Sequence, residues 1–153
     1  MKNKIYFLVL IVFIFAACKN QSKTTVAAKL ANKITEPLTC YSYSKDSNNV
    51  MMQISIVDNI VKGDLQIEYY QKDKNTGKIN GEMKGDTLYA EYTFMSEGLN
   101  SIREVAFLKN GNELTEGFGD VEERSGKTVF TNKSKLKFEN NIHLTKTKCD
   151  TAK

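Results

Sequence analysis

Apolar and polar residues alternate along most of the chain between Cys40 and Cys149, and almost no repeat of three to four residues is present. A period of two is typical of β-strands with one buried face, whereas amphipathic helices repeat every 3.6 residues. Pairs of turn-forming residues interrupt the alternation at short intervals, as hairpin connections do. The sequence therefore predicts an all-β domain.

Two hairpin registers follow from centring two-residue turns on Asp58-Asn59 and on Gly85-Asp86. Each register collects apolar side chains on one face and mostly polar ones on the other. A slip of one residue would reverse every side chain, so this separation supports both hairpins. The first register pairs Ile56 with Val61, Ile54 with Gly63, Met52 with Leu65 and Val50 with Ile67; the second pairs Met83 with Leu88, Gly81 with Ala90 and Ile79 with Tyr92.

A third hairpin is predicted at Asn110-Gly111, the strongest hairpin dipeptide in the chain. This register pairs Phe107 with Leu114, Val105 with Glu116 and Arg103 with Phe118. Further strands are predicted from Thr128 to Asn132 and from Ile142 to Lys148, while the segment from Glu122 to Lys127 is predicted to be a polar connection.

Sequential hairpins of this kind make an antiparallel meander of roughly eight to ten strands. An apolar face that extends over so many strands is buried only if the sheet closes or folds on itself, and closure also removes exposed edges. The sequence therefore predicts a small lipocalin-like barrel, with a two-sheet β-sandwich as the alternative.

The first residues of the chain have the pattern of an export signal. Lys2 and Lys4 precede an unbroken apolar run of eleven residues from Ile5 to Phe15, which is shorter than the roughly 20 residues of a membrane-spanning helix. The pair Ala16-Ala17 directly before Cys18 resembles a lipobox, the site at which bacterial lipoproteins are acylated on cysteine and cleaved before it. Phe15 stands where such sites usually have leucine.

The lipobox resemblance implies three segments: a lipoprotein signal peptide over residues 1–17, a lipidated tether over 18–37 and the β-barrel domain over 38–153. Acylation of Cys18 would anchor the mature chain to a membrane by lipid alone. Because basic Lys19 follows the anchor, the expected location is the outer membrane, facing the periplasm. The mature chain keeps 20 basic and 18 acidic residues, a net charge of +2, which is too balanced for nucleic-acid binding.

Cys40 and Cys149 stand at nearly the first and last positions of the predicted domain. Exported chains meet an oxidising compartment, so a disulfide between them is expected. Such a bridge would stabilise the fold by about 4 to 5 kcal/mol in the chain-entropy model. If the first and last strands meet in a closed barrel, the two cysteines become neighbours.

Arg103 and Glu116 are the candidate ligand-binding residues. Lysine outnumbers arginine by twenty to two, yet the predicted register places Arg103 on the apolar face that also carries Val105 and Phe107. Glu116 falls on the same face, within reach of a long side chain, and a guanidinium tolerates burial beside a carboxylate better than an ammonium does. Two interpretations remain open: a structural ion pair at the barrel mouth, or a polar anchor that orients a ligand.

Each candidate motif for catalysis, metal binding or cofactor binding lacks a required residue or spacing. The run Ser125 to Thr128 ends like a phosphate-binding loop, but that loop requires glycine at position 121, which is valine. The Asp73 segment lacks the spacing of a calcium loop. His143 is the only histidine and has no nucleophile at a recognisable spacing. We therefore expect no catalytic residue, metal or cofactor, and a protein that is not an enzyme.

The stretch from Gly81 to Gly119, together with the lipobox, Cys40 and Cys149, resembles a group of small bacterial lipoproteins with a single β-rich domain and no assigned activity. The architecture is also similar in outline to lipocalins and to lipoprotein lysozyme inhibitors. The lipocalin Gly-x-Trp motif is absent, because the chain has no tryptophan. These similarities concern the fold only.

The expected function is that of a non-enzymatic envelope lipoprotein whose barrel binds a small or hydrophobic ligand. The alternative is a periplasmic protein-interaction or inhibitor module. That alternative rests on apolar residues predicted to point outward, namely Val57, Ile60, Ile102 and Leu108.

Overall fold

The computed structural model describes residues 37–139 and 142–149 of the chain, which form ten β-strands and one turn of 3-10 helix (Lys133–Lys135). The strands are β1 (Leu38–Lys45), β2 (Asn48–Val57), β3 (Ile60–Glu68), β4 (Asn75–Lys84), β5 (Thr87–Ser96), β6 (Leu99–Asn110), β7 (Glu113–Glu116), β8 (Val121–Arg124), β9 (Lys127–Phe130) and β10 (His143–Thr147).

Eight of the strands close into an antiparallel barrel. Strands β1 to β7 pair in chain order, and β10 fills the place between β7 and β1. The two remaining strands, β8 and β9, form a hairpin that joins the sheet through one parallel pair between β9 and β6. The predicted closed meander is therefore confirmed, and the two-sheet sandwich is not the fold.

The first two hairpins have the predicted registers in full. Asp58 and Asn59 take positive φ angles of 49° and 66°, as both central residues of a type I′ turn must. In the second hairpin, Gly85 takes a φ of 58° and Asp86 does not take a positive value, which fits a type II′ turn. Both turns match the twist of the strands that they connect.

The third hairpin was predicted with the wrong register. The turn lies at Gly111-Asn112, so that Phe107 pairs with Glu116 and not with Leu114. Here the positive φ, 57°, falls on Gly111, which has no Cβ and adopts it without strain. The shift is two residues, and because side chains alternate with a period of two, every side chain keeps its predicted face.

Apolar side chains fill the barrel interior. Tyr92 and Phe107 are the largest of those that are almost completely buried. Eight strands enclose a space that side chains can just fill, and here buried apolar side chains fill its middle. The buried core consists of Tyr41, Val50, Met52, Ile54, Val61, Leu65, Ile67, Ile79, Leu88, Ala90, Tyr92, Val105, Phe107, Leu114 and Leu144.

Residues 117–139, which we call the strap, run from β7 across the outside of β6. Gly117 donates a backbone hydrogen bond to the carbonyl of Ala106 at 2.8 Å. A Cβ at Gly117 would lie 2.5 Å from Cε1 of Phe138, so only glycine allows this ring to pack so closely. Ala106 points outward but has no exposed surface, because the strap covers this part of β6.

The segment predicted as a polar connection from Glu122 to Lys127 is largely a second hairpin, β8 and β9, within the strap. Its turn uses Ser125 and Gly126, with φ angles of 52° and 74°. The run from Ser125 to Thr128, which ends like a phosphate-binding loop, therefore begins with a hairpin turn. Within the part of the chain that the structure describes, no helix is long and apolar enough to cross a bilayer.

Candidate ligand site at the upper end of the barrel

The barrel has two ends with different connections. The turns after β2, β4 and β6 lie at one end, called the lower end, together with the start of β1 at Leu38. The connections after β1, β3 and β5 lie at the opposite, upper end. Arg103 is in the half of β6 nearer the upper end, and Glu116 is the last residue of β7.

Among the described residues, the strand ladder of the barrel is incomplete at the upper end, because β7 and β10 have only 4 and 5 residues whereas β1 to β6 have 8 to 12. β7 pairs only with the lower half of β6, and β10 pairs only with residues 40–42 of β1. We call the resulting gap in the ladder between β6 and β1 the notch. β9 borders the notch through its pair Thr128 with Arg103.

The Arg103 side chain lies against two aromatic rings. Its guanidinium carbon is 5.5 Å from the ring centroid of Tyr92 and 5.3 Å from that of Phe94. The two rings stack on each other with centroids 4.7 Å apart. A cation over an aromatic face is attracted by the electron density of the ring, and these contacts hold the guanidinium on the inner side of β6.

Hydrogen-bond acceptors for Arg103 are missing among the described residues. The Nε atom is buried and has no hydrogen-bond partner. None of the ion pairs found between described side chains includes this guanidinium. Buried donors are nearly always paired in folded proteins, so the state of this Nε–H is unusual.

Glu116 is a buried carboxyl group, with 7% of the residue exposed. Its Oε2 accepts a hydrogen bond from the hydroxyl of Tyr69 at 3.2 Å. Burial raises the pKa of Glu116, while Arg103 and the Tyr69 hydrogen bond act in the opposite direction. Burial also raises the pKa of the Tyr69 phenol, and the charge of Glu116 adds to that effect.

Tyr69, Glu116, Arg103 and Tyr43 interact electrostatically at the upper end. Glu116 and Tyr43 raise the pKa of the Tyr69 phenol, and Arg103 lowers it. Burial raises the pKa of the nearby Tyr92 to about 12, with Arg103 opposing. The Tyr92 hydroxyl is already used, since it donates to the carbonyl of Leu65 at 2.9 Å.

The two residues chosen from sequence, Arg103 and Glu116, lie on the inner face as the alternation predicted. No ion pair within 4.0 Å joins them among the described residues, although the charge of Arg103 acts on the pKa of Glu116. The register shift explains the separation: Glu116 lies opposite Phe107, four residues along β6 from Arg103. Their role as ligand anchors stays a prediction.

Sequence reasoning missed the aromatic residues around this pair. Tyr69 follows the last residue of β3, and Phe94 lies near the end of β5. The alternation does predict that both side chains lie on the inner face, because Leu65, Ile67 and Tyr69 form one alternating series and Tyr92 and Phe94 form another. The contacts themselves join elements that are far apart in sequence, so no local pattern revealed them.

The cysteine bridge is present. Cys40 and Cys149 form a disulfide with their Cα atoms 5.1 Å apart, as predicted, and it lies at the lower end near the start of β1. Cys18, the predicted lipidation site, and the signal peptide and most of the tether lie outside the described residues. His143 points outward, where its Nδ1 lies 2.9 Å from Oγ1 of Thr115.

The outward apolar residues named above divide into two groups. Val57 and Ile60 are exposed by 42% and 50% at the β2–β3 turn, whereas Ile102 and Leu108 are only partly exposed. A recess of about 440 Å³ lies on the outer face of β1 to β3 and is lined by polar side chains such as Ser42 and Gln53 together with apolar ones such as Met51. In residues 37–139 and 142–149, no group of three or more metal-binding side chains occurs.

Among the described residues, the upper end of the barrel thus brings together a guanidinium whose buried Nε has no hydrogen-bond partner, a buried carboxyl group and several aromatic side chains. Such a set offers charge, hydrogen bonds and apolar surface in one place. No family model, curated protein or solved structure matches the chain.

Proposed function

We propose that the protein is a non-enzymatic envelope lipoprotein whose β-barrel binds a small ligand at its upper end, with Arg103 as the principal polar anchor. The single observation that supports this best is the state of the Arg103 guanidinium. It is fixed against Tyr92 and Phe94, yet its Nε is buried without an acceptor. A ligand oxygen there would remove an unfavourable buried donor, which costs about 1 to 3 kcal/mol when unsatisfied.

The packing of the interior favours a small ligand. Val50, Ile67 and Tyr92 lie directly below the site and have at most 2% of their surface exposed. Barrels of eight strands either fill their interior with side chains or hold one small molecule. Because this barrel is filled in its middle, a ligand would occupy the upper end beside the notch.

The chemistry of the site favours binding over catalysis. The side chains that surround Arg103 among the described residues are tyrosine, phenylalanine and one glutamate, and a nucleophile with an adjacent base is not among them. The one histidine, His143, is engaged with Thr115 on the outer face. The proposed activity is therefore recognition of a ligand.

The envelope location is part of the proposal. The lipobox-like sequence before Cys18 supports acylation, and the Cys40–Cys149 bridge suits an oxidising compartment. Labelling cells with a tagged fatty acid tests the anchor: we expect label on the natural protein and none on Cys18→Ala. Anchoring of the Cys18→Ala protein to membranes would overturn this part.

Native mass spectrometry of the protein purified from its own membranes tests the binding function. We expect the natural protein to carry a small molecule, and the Arg103→Met variant to lose it. Arg124→Met is the matched control, because Arg124 is the other arginine of the chain and is exposed on β8. A molecule that remains bound to Arg103→Met, or no molecule at all, would contradict the proposal.

A second candidate is the protein-interaction module, favoured by three large apolar side chains on the rim of the upper end. Tyr70, Met95 and Leu99 are exposed by 61%, 54% and 71%. Exposed apolar groups that lie together often mark a binding surface. A protein partner that is lost on Leu99→Asp but kept on Arg103→Met would favour this module over the ligand-binding barrel.

A further inference from the structure

We infer that the ligand is a small organic monocarboxylate with an apolar body, whose carboxylate is bound by the guanidinium of Arg103. This inference rests on the proposed function and deepens it by naming the ligand class. Three features carry it: the number of charges at the site, the shape of the Arg103 donor group and the apolar character of the surroundings.

The charges at the site limit the ligand to a single negative charge. Arg103 is the cation that acts on Tyr69, Tyr92 and Glu116. Among the described residues, no second cation acts on these three groups, so a second negative charge on the ligand would find no opposite charge among them. A phosphate ester carries close to two charges at neutral pH, so it matches this site less well than a carboxylate.

The guanidinium is the donor group that matches a carboxylate best. It is planar and presents its N–H groups as a fork that meets two carboxylate oxygens at once. The contacts with Tyr92 and Phe94 fix the position of this fork before a ligand arrives. A preorganised donor loses little side-chain entropy on binding, which favours affinity.

The surroundings of Arg103 supply the apolar contacts. Tyr43, Tyr69, Phe94 and Ile142 are partly buried and pack against the top of the core. An aromatic or branched aliphatic body could lie against these side chains, above the filled middle of the barrel. Ligands without such a body would leave this surface exposed to water.

The protonated, neutral form of Glu116 is compatible with a carboxylate bound to Arg103. Burial raises the pKa of this carboxyl group, which favours its protonated form. A protonated Glu116 would not repel the carboxylate of the ligand.

Isothermal titration calorimetry on the full-length protein, purified in a nonionic detergent and freed of small molecules by dialysis, tests the inference. The probes are benzoate, benzamide and phenyl phosphate, which share the ring and differ in charge. We expect benzoate to bind about tenfold or more tightly than either of the others. Arg103→Met should weaken benzoate binding by a similar factor, whereas Arg124→Met, at an exposed position on β8, should bind it as the natural protein does.

Circular dichroism shows whether Arg103→Met folds, and the comparison of the three probes on the natural protein does not depend on that variant. Equal binding of benzamide and benzoate would overturn the inference, and so would tighter binding of phenyl phosphate. If a native molecule is lost on Arg103→Met but benzoate does not bind, the ligand class is wrong and the proposed function holds. If no native molecule accompanies the purified protein and benzoate does not bind, the ligand class and the proposed function are both wrong.

Discussion

The hydroxyl of Tyr69 donates a hydrogen bond to Oε2 of Glu116 at 3.2 Å, and this bond crosses the interior of the barrel. Tyr69 follows β3 and Glu116 ends β7, and these two strands are not neighbours in the sheet. The bond therefore connects opposite walls at the level where β7 ends. Its strength depends on the protonation of Glu116, since an ionised acceptor makes the stronger hydrogen bond.

Glu116 should make stability depend on pH in the direction opposite to that of most carboxylates. Burial raises its pKa above the usual 4.5 in the folded state, so the folded protein holds this proton more tightly than the unfolded chain does. The resulting stability is fully present below about pH 4.5 and is lost as the pH rises through the folded pKa. Urea unfolding from pH 4 to 8 should show the natural protein losing stability relative to Glu116→Gln.

The matched control for Glu116 is Glu113→Gln, on the same strand but exposed to solvent. The free energy of unfolding of Glu113→Gln relative to the natural protein should change little from pH 4 to 8. A natural protein that gains stability relative to Glu116→Gln as the pH rises would show that Glu116 is stabilised as an anion.

Tyr92→Phe should lower the free energy of unfolding by about 1 kcal/mol, because it removes the hydrogen bond to the Leu65 carbonyl and leaves the ring in place. The effect should shrink between about pH 10 and pH 12. The phenol ionises near 10 in the unfolded chain and near 12 in the folded protein, so its contribution falls as the pH rises across that interval. Equal effects of the substitution at pH 8 and pH 11 would contradict this.

The disulfide should be the largest single contribution to stability that one pair of substitutions can remove. The bridge joins residues 109 positions apart, and replacing both cysteines by serine should cost up to about 4 to 5 kcal/mol. Urea unfolding measures this loss. A reducing agent should destabilise the natural protein and leave the Cys40→Ser/Cys149→Ser variant unchanged. Two reactive thiols in denatured, unreduced protein would contradict the bridge.

The strap should depend on Glu104 for its attachment. Oε2 of Glu104 accepts from the backbone N–H of Phe130 at 2.9 Å, and Lys133 lies 2.7 Å from Oε1. Partial burial opposes ionisation of Glu104, but these two contacts outweigh it and lower its pKa. Glu104→Gln should therefore speed amide hydrogen exchange in β9.

Glu123→Gln is the control for the strap, because Glu123 is exposed on β8. It should leave exchange in β9 unchanged. Equal exchange in the Glu104→Gln variant and the natural protein would mean that Glu104 does not hold the strap. The attachment should also weaken at acid pH, because a group whose folded pKa is lowered loses its contribution as the pH falls through that pKa.

The hairpins and the inner face were predictable from sequence because both depend on a period of two. Even the register error at Gly111 left Arg103 and Glu116 on the inner face, since a shift of two residues preserves parity. Closure could be predicted from the need to bury one face. The disulfide followed from the positions of Cys40 and Cys149.

The notch and the strap could not be predicted, for a different physical reason. Glu122 to Lys127 is polar and has no buried face, so alternation does not distinguish a hairpin from a loop there. The notch exists because β7 ends at Glu116, and the pattern of apolar residues gives no end point at that position. Contacts such as Arg103 with Phe94 depend on how neighbouring strands are tilted and closed, which a single sequence does not specify.

The junction between β1 and β10 is stabilised differently at the lower and upper ends of the barrel. The covalent bond between Cys40 and Cys149 secures the β1–β10 junction where it has three residue pairs, at the lower end. Towards the upper end, the β6–β7 ladder ends with the hydrogen bond from Gly117 to Ala106, and the β1–β10 ladder ends at the pair Ser42 with Thr145. Among the described residues, the two ends of this junction therefore differ: a covalent bond closes the ring of strands at the lower end, and the strand ladders stop short of the upper end.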